Sequence, residues 1–261
     1  MAALLISSTQ NPRIKHLIAL QQHSQQRRRE QRVVVEGARE LMHCINAGFN
    51  IETVFYCPDL FAVDGLALNH AELIEVTPQV YDKIAYRGST EGVIAVVEQR
   101  ELALSDIDLG DDPLIVVLEG VEKPGNIGAV LRSADAAQAT AVIVCDPLTD
   151  LYNPNLIRSS IGAVFTVPCV ACSSEECIRF LKENNIKILT AQLQDSELYY
   201  NTPMRGATAI VMGTESTGLT NAWREAASAH IRIPMRGALD SLNVSVSAAI
   251  LLFEAVRQRG I

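Results

Sequence analysis

Runs of four to six consecutive apolar residues recur along this chain. Between them lie segments whose apolar positions fall three and four residues apart. The first pattern predicts strands and the second predicts helices. Pro12 to about Gln31 is polar, with Ile14, Leu17, Ile18 and Leu20 spaced for a helix that Arg27-Arg28-Arg29 either continues or ends in a loop. Val33-Val34-Val35 predicts a buried strand ended by Glu36-Gly37, and Ala38–Ala47 a helix stopped by Gly48. Ile51–Tyr56, Leu73–Val76 and Val93–Val97 predict further strands, with a short helix over Thr77–Ile84. Together these define a small α/β domain over residues 1–98, followed by an acidic, aperiodic linker over 99–112.

From Pro113 the alternation resumes. Strands are predicted at Leu114–Leu118, Ala141–Cys145, Ile186–Ala191, Ala209–Met212 and Ile231–Ile233. Helices are predicted at Asn126–Gln138, Pro154–Ile161 and Glu175–Asn184. The Leu114–Leu118 strand is apolar throughout, as in a parallel sheet covered on both faces. After Ile233 a proline ends the strand, Gly237 permits a turn, and Ser241 caps a last helix with Asn243 in its first turn. Leu242, Val246, Ala249, Phe253 and Val256 form the predicted apolar face of that helix.

Composition narrows the class. The chain has 261 residues, 48% of them apolar and 20% charged, which suits a soluble globular protein of one large or two modest domains. No apolar run is long enough for a membrane span, and the first residues lack the basic leader of a secretory signal. The six cysteines have no framework spacing. Cys169 and Cys172 form a C-x-x-C, but with no second pair or nearby histidine, so reduced thiols, no metal and a cytoplasmic location are expected. The net charge is −8, yet Asn11–Glu40 holds seven basic against three acidic side chains, +4 in that window and −12 elsewhere. Such a patch suits phosphates, or simply a solvated helix surface.

Three stretches share a strand, a glycine turn and a polar helix start. They are Leu114–Ala136 (containing Lys123-Pro124-Gly125-Asn126-Ile127-Gly128 and Arg132), Ala209–Leu219 (containing Gly213-Thr214-Glu215) and Ile231–Ala248. In order and spacing they resemble the three motifs of the SpoU/TrmH class of SPOUT RNA methyltransferases, over about residues 113–259. The resemblance implies a deep trefoil knot, S-adenosyl-L-methionine as cofactor, methyl transfer to a ribose 2′-hydroxyl, and a homodimer built on the C-terminal domain. It implies catalytic roles for Asn126, Arg132, Glu215, Ser241 and Asn243, with Arg132 nearest the chemistry. It implies cofactor contacts at Thr190, Gly213, Ile233, Met235, Leu242 and Val244. Lys123 stands where relatives often carry Asp.

The preceding domain resembles the substrate-binding domain of ribosomal RNA enzymes of this class. Arg13, Arg27, Arg28, Arg29, Arg39 and Arg87 are its candidate phosphate contacts. Ribosomal RNA is thus favoured over transfer RNA. Two other readings stand beside this one. The first is an RNA-binding protein that keeps the fold without catalysis; intact Asn126, Arg132, Glu215 and Asn243 argue against it. The second is an α/β enzyme on a phosphorylated metabolite. Against that reading, Gly213 and Gly218 are followed by Leu219-Thr220, not the Lys-Ser/Thr of a triphosphate loop.

Overall fold

A computed structural model describes residues 4–68, 70–86, 91–214 and 217–260. From the amino end run β1 (Leu4–Ile6), α1 (Pro12–Gln22), α2 (Ser24–Glu30), β2 (Arg32–Glu36), α3 (Ala38–Asn46), β3 (Ile51–Tyr56), β4 (Glu72–Val76), α4 (Pro78–Ile84) and β5 (Val93–Glu98). Then come β6 (Leu114–Glu119), α5 (Pro124–Ala136), β7 (Ala141–Cys145), α6 (Pro154–Ser159), α7 (Ala163–Thr166), β8 (Cys169–Cys172) and α8 (Ser174–Glu183). The chain closes with β9 (Lys187–Ala191), β10 (Glu197–Leu198), β11 (Thr208–Met212), α9 (Asn221–Ala226), β12 (Ala229–Arg232) and α10 (Val244–Arg259).

Two compact units result: Met1–Arg100 with Tyr152–Thr166, and Glu101–Leu151 with Val167–Ile261. The first is therefore not one continuous stretch. In it α6 packs on β2 and α7 on α3. Phe165 meets Phe49 edge-on with centroids 5.1 Å apart and stacks on Tyr152 at 6.4 Å, so aromatic burial holds the excursion in place. Its sheet runs β1-β4-β3-β5-β2. The predicted strands are present; β1, which pairs parallel with β4, was not foreseen. Ile14, Leu17 and Leu20 of α1 and Val80, Tyr81 and Ile84 of α4 bury against Val34, Phe55, Ile74 and Ile94 of the sheet. The arginine triplet neither continues the first helix nor opens a loop: α1 ends at Gln22, and the triplet lies in a second helix, α2, that starts at Ser24.

The second unit is built on a seven-stranded sheet in the order β10-β12-β9-β11-β6-β7-β8, with every pairing parallel. β6 and β11 are buried along their whole length, which explains their uniform apolarity. One core cluster joins Ile115, Val117, Ile143, Val170, Ile188 and Val211 of the sheet to Leu181 of α8 and Trp223 of α9. α5 and α10 pack on each other.

The last helix departs from expectation in two ways. It begins at Val244, and Asn243 is its N-cap: the Asn243 Oδ1 accepts from Ser245 N at 3.0 Å. Ser241 lies outside the helix, its hydroxyl donating to Asp240 at 3.2 Å. Asparagine and serine cap equally well, so residue type alone did not separate them. The face is also different. Val244, Ala248, Leu251, Leu252 and Ala255 are buried, whereas Val246 is 46% and Phe253 48% exposed.

Candidate active site

In the parallel sheet β9 lies between β11 and β12, with Val211 beside Thr190 and Ile231 beside Ala191. The carboxyl ends of these strands therefore open on one side, where ligands of open α/β sheets bind. A cavity of about 330 Å³ lies there. It is lined by Ala191–Gln194 after β9, Met212–Thr214 and Thr217–Leu219 after β11, and Ile231–Ile233, Met235 and Asp240–Leu242 around β12. Arg224 of α9 and Val244 and Ser247 of α10 complete it.

The turn after β11 needs its glycines. A Cβ on Gly213 would lie 2.3 Å from the Gly218 carbonyl oxygen and 2.7 Å from Leu219 N. Gly218 has φ +66°, a conformation a side chain resists. Thr214 O accepts from Gly218 N at 3.0 Å, and the Thr214 and Thr217 hydroxyls bond at 2.7 Å. The result is a narrow turn that brings backbone up to a ligand.

Five of the expected cofactor contacts, Gly213, Ile233, Met235, Leu242 and Val244, line this one cavity, together with Ser241. Thr190 does not. Its side chain is fully buried and its hydroxyl bonds the His230 ring at 2.6 Å, so only its neighbour Ala191 reaches the cavity. The first motif joins through α10: Asn243 Nδ2 donates to Asn126 Oδ1 at 3.2 Å. Helix α5 starts at Pro124 with Lys123 at its N-cap, so Asn126 sits in the first turn rather than capping. Arg132 is exposed on α5, outside the cavity lining. Glu215 lies outside the described residues.

Sequence reasoning passed over two features. Glu119, at the end of β6, is 6% exposed. Its carboxylate accepts from Thr220 N at 2.9 Å, Thr220 Oγ1 at 2.7 Å and Ser174 Oγ at 3.3 Å. It thereby ties down the segment that follows the glycine turn. An acid closing a wholly apolar strand was the available signal. The second feature is a pair of unsatisfied atoms. Arg224 and Gln192 line the cavity, and Arg224 Nε and Gln192 Oε1 are buried without a hydrogen-bond partner among the described residues. Orphaned buried polar atoms beside a cavity fit a ligand that carries both acceptors and donors.

Of the expected phosphate contacts, Arg28, Arg29 and Arg39 are exposed, and Arg13 is half-exposed in an ion pair with Glu72 at 2.6 Å. Arg27 is a correction. It is 2% exposed and donates to the carbonyls of Leu20 at 2.7 Å and Gln21 at 3.1 Å, so it satisfies the end of α1 and is closed to RNA. Arg87 lies outside the described residues.

The cavity at the carboxyl ends of the parallel strands thus gathers residues of the second and third motifs. The chain belongs to the SpoU rRNA methylase family, whose model matches residues 113–253. A model described as an MRM3-like substrate binding domain matches residues 11–95. The backbone turn at Gly213, the apolar walls of Ile233 and Leu242 and the polar groups of Arg224 and Gln192 fit S-adenosyl-L-methionine, the donor that the motifs lead one to expect.

Among similar proteins is the 23S rRNA (guanosine-2′-O-)-methyltransferase RlmB of Vibrio vulnificus, 38% identical over 72% of this chain and 78% of the relative. Another is the 23S rRNA (uridine(2479)-2′-O)-methyltransferase of Streptomyces viridochromogenes, 30% identical over 97% and 92%. The solved AdoMet-bound rRNA methyltransferase of Sinorhizobium meliloti superposes with a TM-score of 0.89, at 29% identity and 98% coverage of both chains. A solved RNA 2′-O ribose methyltransferase is 41% identical, with a TM-score of 0.87 over 99% of this chain and 100% of the other.

Proposed function

We propose that this enzyme methylates a ribose 2′-hydroxyl of ribosomal RNA, acting as a homodimer, with Asn126, Arg132 and Asn243 handling the RNA end of the reaction. The observation that carries this reading is the common cavity of the second and third motifs, bonded to the first through Asn243 and Asn126. The named relatives act on 23S rRNA, one at guanosine and one at uridine, so the substrate class carries over while the base does not.

S-adenosylmethionine supplies an electrophilic methyl on sulfonium. The protein must hold the 2′-oxygen in line with it and manage a proton. Methyl transfer leaves S-adenosylhomocysteine and an ether oxygen, and the hydroxyl proton leaves to water. Arg132 offers a guanidinium with donors only, so its part is to hold the neighbouring phosphate and stabilise charge growing on the oxygen. Within one chain Arg132 does not line the cavity, and its exposure suits a site completed by a second copy. The exposed Val246 and Phe253 of α10 are the apolar surface such a copy would cover. The segment from Ile231 into α10 forms the family's knot in this reading. Glu215 keeps its expected part in catalysis, Ser241 orients the ribose, and exposed Arg13, Arg28, Arg29 and Arg39 hold RNA phosphates, with Arg87 the fifth candidate once buried Arg27 is removed. A cytoplasmic site of action accords with the absence, among the described residues, of a helix long and apolar enough to cross a membrane.

Arg132→Ala is the test. Cofactor affinity should stay within about two-fold, and methylation of ribosomal RNA should fall at least 100-fold, the scale of losing one preorganised charge donor. Wild-type turnover in that variant refutes the assignment, and sedimentation equilibrium of the wild type reads the dimer directly.

A further inference from the structure

The C-x-x-C of Cys169 and Cys172 is not a chelating pair. Both residues lie on β8, and three steps along a strand turn side chains to opposite faces. Two other cysteines meet Cys172 instead. Cys145 ends β7 and is the direct register partner of Cys172 on the neighbouring parallel strand, so both side chains leave the same face. Cys177 comes from the first turns of α8, which covers that face. The three Sγ atoms lie within 4.8 Å of one another.

We propose that Cys145, Cys172 and Cys177 form a binding site for one thiophilic cation of the Zn²⁺ class. Zinc–thiolate bonds of about 2.3 Å place sulfurs about 3.8 Å apart around a tetrahedral ion, so the trio needs to close by no more than about 1 Å. A disulfide, by contrast, requires two sulfurs to approach to about 2.05 Å and strands the third. Negative charge beside Cys172 favours a cation. Cys145 and Cys177 are fully buried, and the carboxylates of Asp146 and Glu176 bear on Cys172. Cys172 is half-buried, which leaves a fourth coordination position for water or an added thiol. A bound ion fastens β7, β8 and the start of α8 together. That start includes Ser174, whose hydroxyl reaches both Asp146 at 2.6 Å and Glu119 at 3.3 Å.

The test uses the full chain, reduced and stripped of metal, titrated with Co²⁺ as a visible reporter and then with Zn²⁺. One equivalent of Co²⁺ should give sulfur-to-cobalt charge-transfer absorption that one equivalent of Zn²⁺ abolishes, with a rise in the unfolding midpoint. Cys177→Ala and Cys172→Ala should each weaken Zn²⁺ binding at least 100-fold, while Cys169→Ala leaves it unchanged. Circular dichroism and S-adenosylmethionine titration establish that each variant is folded, and Cys172, being half-buried, is the safer of the two. The proposal is overturned by failure of the reduced wild type to bind Zn²⁺ stoichiometrically. It is equally overturned by undiminished binding in folded Cys172→Ala, or by a trio that yields only a disulfide under air and no metal affinity.

Discussion

Glu119 never touches the cavity, yet it should control cofactor affinity. Its carboxylate holds Thr220 by the backbone N–H and the hydroxyl, and Thr220 follows directly on Leu219 and Gly218, which line the cavity. Glu119→Ala removes these bonds and leaves the Thr220 donors facing a void. A hydrogen bond to a charged group contributes about 1.5–3 kcal/mol, and a buried donor left unpaired costs about 1–3 kcal/mol. These terms overlap, so a total loss of about 3–4 kcal/mol is a reasonable bound. If about half of it falls on the equilibrium between ordered and disordered turn, S-adenosylmethionine binding weakens roughly 10- to 30-fold. Glu119→Gln is the discriminating control. Its carboxamide oxygen can replace the atom that accepts from Thr220 N, and its NH₂ can donate to the Thr220 and Ser174 hydroxyls once they turn. That variant should lose about 1 kcal/mol, or about five-fold in affinity. Calorimetric titration with S-adenosylmethionine, alongside thermal unfolding of each variant, supplies the numbers. A Glu119→Ala protein that is folded and binds the cofactor within two-fold of wild type would refute the reasoning.

Three other outcomes follow. Arg27→Ala should destabilise the first unit by about 2–4 kcal/mol, because it strips the partners from the Leu20 and Gln21 carbonyls; Arg28→Ala should leave the melting temperature alone and lower the salt slope of RNA binding by about one. Arg224→Met should weaken S-adenosylmethionine about ten-fold but 5′-methylthioadenosine, which lacks the amino-acid carboxylate, by less than two-fold, if the unsatisfied Nε receives that carboxylate; equal losses for both ligands would exclude it. On α10, hydrogen bonds from Arg257 at 2.8 Å and from Gln258 at 2.8 Å hold the Glu254 carboxyl below its usual value of 4.5. A carboxylate lowered in the folded state adds stability above its unfolded pKa and loses it as pH falls through the folded one, so the gap between wild type and Glu254→Gln in urea unfolding should be full at pH 7 and close below about pH 4.5.

How far the residues alone reveal this molecule depends on whether the information is local. The buried strands of the parallel sheet are legible because both faces are covered and apolarity is continuous, as in Leu114–Leu118 and Ala141–Cys145. The cavity beside β9, β11 and β12 is legible because a glycine turn marks it: Gly213 cannot carry a Cβ against the Gly218 carbonyl. Features made by pairing distant segments are not legible. Arg27 reads as one of three adjacent cations, and only the carbonyls of Leu20 and Gln21 reveal it as a buried tether. Cys169 and Cys172 read as a pair, and only register with β7 shows that Cys145 is the true neighbour of Cys172.

The misplaced face of α10 has a different cause. A helix against a single core carries one apolar stripe, and three-and-four spacing finds it. In α10 apolar residues occur all round: Val244, Ala248, Leu251 and Leu252 on the buried side, Val246 and Phe253 on the exposed side. Spacing then identifies two stripes and ranks neither. The predicted set, Leu242-Val246-Ala249-Phe253-Val256, is a genuine stripe that this chain does not bury by itself. A helix apolar on every side needs two covers. One is α5 and the sheet strand β11 beside it. In the proposed homodimer the second cover is the partner copy, on the same helix whose N-cap, Asn243, bonds Asn126. The cavity ends at one face of α10, and the exposed apolar residues of α10 and the exposed Arg132 of α5 share the helix pair α5–α10. The homodimer proposed above would satisfy both with a single contact.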